Sequence, residues 1–290
     1  MEQGRKHLFI PDFQVTPDTP LDHLDWIGQF IVDKQPDVVV HAGDFNDLES
    51  LSSYDRGKLK AEGKRYKADM EAGKVANDIL WRSLNQYNAN QVKNHKKQYT
   101  PEKHLTLGNH EYRIMRVTED DPSMEGYMGY QDLGYEEAGW TVHDFLDVVE
   151  IDGLCYSHFF ANPMSGRPWG GHSMDTRLKN IGYSFVQGHQ QICLIGTRAL
   201  TNGAVLRGLV CGACYLHDED YRGKQGNSEW RGVFLLHEVR NGNYSLCEVS
   251  LDYLCLKYEG MPVWRYMEKN YKRIFESSLW MQKQKRMSTH

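Results

Sequence analysis

The sequence predicts an α/β fold in which helices cover a largely parallel sheet. Three observations carry this. Leu8-Phe9-Ile10 is a short apolar run, residues 21–34 have helical spacing, and Val38-Val39-Val40 follows as a second apolar run, which together make a strand–helix–strand unit of the parallel-crossover kind. Five such short runs end in clusters of polar residues. Residues 192–255 alternate short strand-like runs with Gly or Asn turns.

In chain order, Pro11 closes the first strand. Leu21, Leu24, Trp26, Ile27, Phe30 and Ile31 define the apolar face of the first helix, which Pro36 ends. Ala42-Gly43-Asp44 follows the second strand. Over 50–95 the chain is polar and helix-prone, with Met70, Val75, Ile79, Leu80 and Leu84 as a sparse stripe, so one or two amphipathic helices are expected. His104-Leu-Thr-Leu107 is the third strand and runs into Gly108-Asn109-His110-Glu111, with a helix following through Met115. A loop from Asp121-Pro122 leads to strands over 141–149 and 151–157, turned at Asp152-Gly153. Residues 161–172 are a Gly- and Pro-rich loop, 173–182 a helix, and 184–187 a strand reaching Gly188-His189. Asn241-Gly242 between two strand-like runs reads as a hairpin turn. No repeat or linker divides the chain. One domain is expected over 1–262, carrying a basic helical insertion at about 50–103, with a helical tail over 263–290.

The 290 residues, 40% hydrophobic and 25% charged, have the composition of a globular chain and not of a disordered one. No apolar stretch nears the roughly 18 residues of a membrane span. Leu8-Phe9-Ile10 is too short for a signal-peptide core, so a cytoplasmic location without membrane contact is expected. There the six cysteines stay reduced. Cys211-Gly-Ala-Cys214 lacks a second pair, and the cysteines are expected as small core residues. The net charge of −5 is uneven: residues 56–104 hold 12 Lys+Arg against 5 Asp+Glu, an excess of +7 that leaves −12 on the rest. A basic module on an acidic body suggests a polyanion, and the plainer reading is a solvated helical face.

The chemistry lies in the polar clusters: Asp12-Phe-Gln14, Gly43-Asp44-Phe-Asn-Asp47, Gly108-Asn109-His110-Glu111, Tyr156-Ser157-His158 and Gly188-His189-Gln-Gln191. In crossover sheets, sites form at the carboxyl ends of strands. Asp, Asn and His there are oxygen and imidazole donors suited to divalent first-row metals. Singly, a Gly-Asp after a strand is a turn with a capping carboxylate, and a lone His is a satisfied core residue. Five clusters in order point to a metal site.

This order resembles the calcineurin-like metallophosphoesterases, whose motifs run D-x-H, G-D-x-x-D, G-N-H-E, a lone His and G-H-x-H. The resemblance covers roughly residues 7–192. The D-x-Q and G-H-Q-Q variants here resemble members encoded by tailed bacteriophages, which would act in the host cytoplasm. The resemblance implies two facing mixed β-sheets flanked by helices, with residues 192–255 supplying much of the second sheet. It implies two divalent cations sharing a water that attacks phosphorus, roughly 3.5–4 Å apart. Asp44 would bridge them, Asn109, His158 and His189 would hold the second, and Asp12 the first. Gln14 and Gln191 replace the family's His ligands, which weakens the first site and favours Mn²⁺ or Mg²⁺ over Zn²⁺ there; Mn²⁺ is the leading expectation for the two ions, with Mg²⁺, Zn²⁺ or Fe as alternatives. The two amides have other readings, as partners of water or as residues that leave the first site empty. His172 or His217 is a substitute ligand to consider. His110 would be the general acid, oriented by Asp47, with Arg113 one turn on as a phosphate contact or a surface ion pair.

For the substrate, Leu48 stands where Ser/Thr protein phosphatases of this kind carry Arg, which speaks against a protein phosphatase. The 65 residues from Asp44 to Asn109 exceed a simple crossover. In that stretch Tyr54, Tyr66, Trp81, Tyr87 and Tyr99 are either base-stacking residues or core contacts. The leading expectation is a phosphodiesterase or nuclease on DNA or RNA, with basic residues such as Lys58, Lys60, Lys64, Arg65 and Lys67 meeting phosphates. The alternatives are a phosphomonoesterase on a nucleotide or phosphoprotein, and a non-catalytic metal-binding scaffold.

Overall fold

A computed structural model describes residues 4–53, 62–171 and 173–288; Tyr54, Lys58, Lys60 and His172 lie outside the described residues. The elements run β1 (Arg5–Ile10), α1 (Asp22–Lys34), β2 (Val38–His41), α2 (Tyr66–Lys93), β3 (Glu102–Thr106), α3 (Tyr112–Asp120), β4 (Thr141–His143), β5 (Val149–Ile151), β6 (Leu154–Ser157), α4 (Met174–Ile181), β7 (Phe185–Gln187), β8 (Leu194–Ala199) and β9 (Val205–Val210). They continue as the single turn α5 (Gly223–Gly226), β10 (Gly232–Arg240), β11 (Asn243–Ser250), α6 (Leu251–Glu259), α7 (Val263–Asn270), α8 (Lys272–Ser277) and α9 (Leu279–Ser288).

Two mixed sheets face each other. The first has the order β11-β10-β1-β2-β3-β4, and the second β5-β6-β7-β9-β8. β1 to β4 are parallel, as are β6, β7 and β9, while β5, β8, β10 and β11 pair antiparallel. The apolar runs are buried on both faces, which is why they read as continuous rather than alternating. Phe9, Val40, Tyr156, Val186, Leu209 and Phe234 interdigitate between the sheets. Leu8, Ile10 and Val39 face the other way, onto Trp26, Ile27, Phe30 and Leu80 of α1 and α2. Phe185 and Val210 pack outward on Met174 and Leu178 of α4.

Register places the site. Ile10 pairs with His41 and His41 with Leu105, so the segments after β1, β2 and β3 emerge side by side. Ser157 pairs with Gln187 and Gln187 with Val210, which does the same for β6, β7 and β9.

Several expectations change. The strand expected over 141–149 is two strands, because β4 pairs with β3 in the first sheet and β5 with β6 in the second. Only β8 and β9 of the 192–255 segment enter the second sheet; β10 and β11, joined at Asn241-Gly242, extend the first. Residues 251–259 are helical, started by Ser250 Oγ accepting the Tyr253 N–H. The C-terminal helices are packed on the body: Val263, Met267, Phe275, Trp280 and Met281 belong to the same core as Leu8 and Trp26.

The insertion is the 28-residue α2, which buries Met70, Ala76, Leu80, Trp81 and Leu84. Trp81 belongs to the core and Tyr66 and Tyr99 pack against it, while Tyr87 makes an exposed hydrogen bond. Trp81 meets Trp140 at 5.2 Å and lies under Lys103, Tyr66 donates to Asp132, Tyr87 accepts from Gln35, and Tyr99 donates to the Pro36 carbonyl. α1 crosses α2 at Gly28, where an added Cβ would stand 2.3 Å from the Leu80 carbonyl oxygen. Gly28→Val is therefore expected to force the helices apart and cost about 1–3 kcal/mol in urea unfolding. An unchanged midpoint would mean that the crossing has room to spare.

Candidate metal centre

The loops at the strand ends are sewn together by their backbones. Asp44 O accepts from Phe13 N and Gln14 N, Gly188 N donates to His158 O, and Cys214 N donates to Asp12 O. Glu111, fully buried, accepts from Asp44 N, Phe45 N, Asn46 N, Gly108 N and the Tyr135 hydroxyl, and so locks the loop after β2 to the loop after β3. The fit requires glycine: a Cβ on Gly108 would lie 2.1 Å from Asp44 Oδ1, and one on Gly188 2.4 Å from Asp12 Oδ1. Among the described residues eleven non-glycines have left-handed φ, and Gln14, Asp44, His189 and Gln191 are four of them. Backbone strain of this kind gathers where the surroundings over-determine a site.

Four donors from four loops converge. His158 Nε2 lies 3.0 Å from Asn109 Oδ1, 3.1 Å from His189 Nδ1 and 3.4 Å from Asp44 Oδ2. The Asp44, His158 and His189 atoms all fall within 4.8 Å of one another. His158 Nδ1 is 2.7 Å from the Ala42 carbonyl, which only an Nδ1–H can satisfy, so the neutral ring turns an Nε2 lone pair toward Asn109 and Asp44. Lone pairs and a carboxylate facing one another require a positive charge between them. Burial alone would lower His158, yet the Asp44 carboxylate outweighs it and lifts the ring to about 9. A proton on Nε2 answers there the same need that a divalent cation would. His189 goes the other way: burial and then the neighbouring His158 lower it to about 3, which leaves its lone pair available. One carboxylate, one amide oxygen and two imidazoles fit a first-row divalent ion.

His110 stands beside this set and outside it. Its N–H donates to Asp44 Oδ1, its Nδ1 lies 2.5 Å from Asp47 Oδ1 and its Nε2 3.7 Å from Asp44 Oδ2. Burial opposes its charge, but the Asp44 and Asp47 carboxylates prevail and lift it to about 9. Arg113 donates to the Asp47 and Leu48 carbonyls and sets a guanidinium nitrogen 3.3 Å from His110 Nε2. Asn109, His110, Asp47 and Arg113 line a cavity of about 690 Å³, whose opposite wall is His217 to Tyr221.

The set around Asp12 is different. Burial, and then the Asp44 carboxylate, lift the Asp12 carboxyl to about 6. Gln14 Nε2 and Gln191 Nε2 both donate to the Tyr221 hydroxyl oxygen, at 2.8 and 2.9 Å. Gln191 Oε1 accepts from the Tyr215 hydroxyl at 3.0 Å and from Arg222 at 2.7 Å. Gln191 turns its Nε2 to Asp12 Oδ2 at 3.4 Å and commits its oxygen to Tyr215 and Arg222, an arrangement that offers a cation beside Asp12 no free Gln191 oxygen. His217 is no substitute ligand, since it stacks on Tyr215 and faces Glu219 at 2.6 Å.

Sequence reasoning left Tyr215, Tyr221, Arg222 and Arg231 without a role. Arg231 organises their loop. Buried between the Tyr215 and Trp280 rings, it donates to the Tyr215, His217 and Asn227 carbonyls and to Asp218. The C-terminal helices brace the same wall, with Ser278 Oγ and Leu279 N donating to Asp218. The one legible signal was the cluster Cys214-Tyr215-Leu216-His217-Asp218.

No protein-family model matches the chain, and no curated protein matches it. Among solved structures, TT1561 of Thermus thermophilus is similar at 11% identity and a TM-score of 0.33, over 84% of this chain and 99% of that one. A second crystal structure is similar at 13% identity and a TM-score of 0.36, over 85% of this chain and all of that one. Likeness at this level leaves the site to be read from its own geometry.

Without a cation His158 holds its proton up to about pH 9, so a metal arriving at pH 7 must displace it. Affinity should then fall about tenfold per pH unit below that value from this group. Calorimetry in two buffers of different ionisation enthalpy should read about one proton released per Mn²⁺. No release would mean that His158 is not a ligand. Gly108→Ala, by displacing Asp44 Oδ1, should weaken Mn²⁺ binding by about tenfold or more; wild-type affinity would show that the loops yield without moving the carboxylate.

Proposed function

We propose that the protein is a metal-dependent phosphoesterase. The observation that carries this is the convergence of Asp44, Asn109, His158 and His189, beside a cavity that Asn109 lines together with the Asp47-held His110. A cation on those donors would neutralise phosphoryl charge and ease attack by water. His110, which the Asp44 and Asp47 carboxylates lift to about 9 in the metal-free protein, is placed to give an Nε2 proton to the leaving oxygen as the P–O bond breaks. Asp47 fixes the ring through Nδ1, and Arg113 offers the substrate phosphoryl group a guanidinium within reach of His110. The resemblance to calcineurin-like enzymes, in its tailed-phage form with D-x-Q and G-H-Q-Q, supports the same reading and a place of action in the host cytoplasm.

For the ester, the +7 excess of residues 56–104 supports a phosphodiester, with DNA or RNA as the polymeric form. One observation favours small substrates instead. No described residue of α2 lines the cavity, and Asp47, Glu49, Asp218, Glu219 and Asp220 do, which is poor company for a polyanion. Lys64, one of the basic residues, is paired with Glu49. Turnover of bis-p-nitrophenyl phosphate, p-nitrophenyl phosphate and single-stranded DNA with Mn²⁺ separates diester, monoester and polymer activity. Silence on all three with metal bound would refute the enzyme reading and leave a metal-binding scaffold.

His110→Ala should retain Mn²⁺ and lose about 10²–10⁴-fold in kcat, less with a good leaving group. A variant that loses its metal would make His110 a ligand.

A further inference from the structure

Next to Asp12 the structure offers a hydrogen-bonded plug where the sequence suggested ligands. Gln14 and Gln191 are buried, both in left-handed backbone conformations, and both turn their Nε2 donors onto one atom, the Tyr221 hydroxyl oxygen. The Gln191 oxygen, the atom a cation would need, is held by Tyr215 and Arg222. Arg222 also donates to the Gln191 carbonyl at 2.9 Å, so its positive charge is anchored at this side of the site. A divalent ion bound by both amide oxygens would have to displace these four side-chain hydrogen bonds and tolerate a guanidinium beside it. Among the described residues the His, Cys and carboxylate ligand atoms that cluster are those of Asp44, His158 and His189.

Tyr221 reaches in from the far wall of the cavity. Tyr221 is exposed and lines the same cavity as Asn109 and His110, while its hydroxyl accepts from the two buried amides. With two N–H donors on its oxygen, the phenol donates its own proton to Gln14 Oε1. Its contact with Gln14 Oε1 is 3.2 Å, a long one that a phosphoryl oxygen can replace.

Building on the phosphoesterase reading, we propose that this chain uses a single divalent cation, on Asp44, Asn109, His158 and His189, and that the Tyr221 hydroxyl occupies the place of a second one and donates to the substrate's phosphoryl oxygen. Gln14 and Gln191 position the phenol, and Arg222 holds Gln191. A neutral, preorganised donor then does part of what a second charge would do at the phosphoryl group.

The test is metal content after equilibrium dialysis against Mn²⁺, read by plasma mass spectrometry, for the wild type, Asp12→Asn and Tyr221→Phe. One ion per chain is expected in all three. Two ions in the wild type, falling to one in Asp12→Asn, would overturn the proposal while leaving a metal-dependent phosphoesterase intact. No bound ion would overturn both readings. The wild-type count decides even if Asp12→Asn fails to fold. In the same preparations Tyr221→Phe should keep its ion and lose about tenfold to a hundredfold in kcat/KM for an aryl phosphodiester. Unchanged kinetics would remove Tyr221 from the reaction.

Discussion

The Asp44 carboxylate carries its charge with 1% of its surface exposed, and the rest of the site is arranged around that burial. Taking an ion out of water costs several kcal/mol unless other groups compensate. Here the compensation comes from every side. His110 N donates to one oxygen, His158 and His110 bring imidazoles to the other, and together the rings hold the carboxyl well below its usual range although burial alone would raise it. The same residue ties the loops together, since its carbonyl accepts from the loop after β1 and its N–H reaches Glu111 on the loop after β3. Position, charge and connectivity are fixed by one buried side chain and its backbone.

That arrangement explains why the sandwich has its edge where it does. Parallel strands in both sheets send their carboxyl ends to one side, and register sets neighbouring ends level. Six loops must then share a small volume. They do so by removing Cβ atoms at Gly108 and Gly188 and by bending ligands into left-handed φ. The cost of that bending falls on a framework with three apolar layers, one between the sheets and one on each outer face. The wall opposite has a separate foundation: Arg231, clasped by two rings and three carbonyls, with the C-terminal helices behind it.

How much of this was legible depended on whether a signal was local. The strand-end clusters after β1, β2, β3, β6 and β7 could be read because a short apolar run and the polar residues that follow it are adjacent in sequence. Asp44, Asn109, His158 and His189 are brought together by pairing rules that hold for any parallel sheet. What could not be read was long-range and without period. The partner of Gln14 lies 207 residues away, at Tyr221, and nothing near Gln14 in the sequence announces it. The strands of 232–250 alternate like any others, and only packing decides that they extend the first sheet. Over 141–149 the composition is strand-like throughout, while the chain changes sheets inside it. The Tyr and Trp residues of the insertion had two readings on sequence, and for Tyr66, Trp81 and Tyr99 packing selects the core one.

The proposed cation site draws four donors from four loops, with Asp44 at its heart. Anomalous diffraction at the manganese edge from crystals grown with Mn²⁺ would locate the ion. A strong peak is expected within coordination distance of Asp44 Oδ2, Asn109 Oδ1, His158 Nε2 and His189 Nδ1. A peak confined to Asp12, Gln14 and Gln191, or none at the four donors, would contradict it.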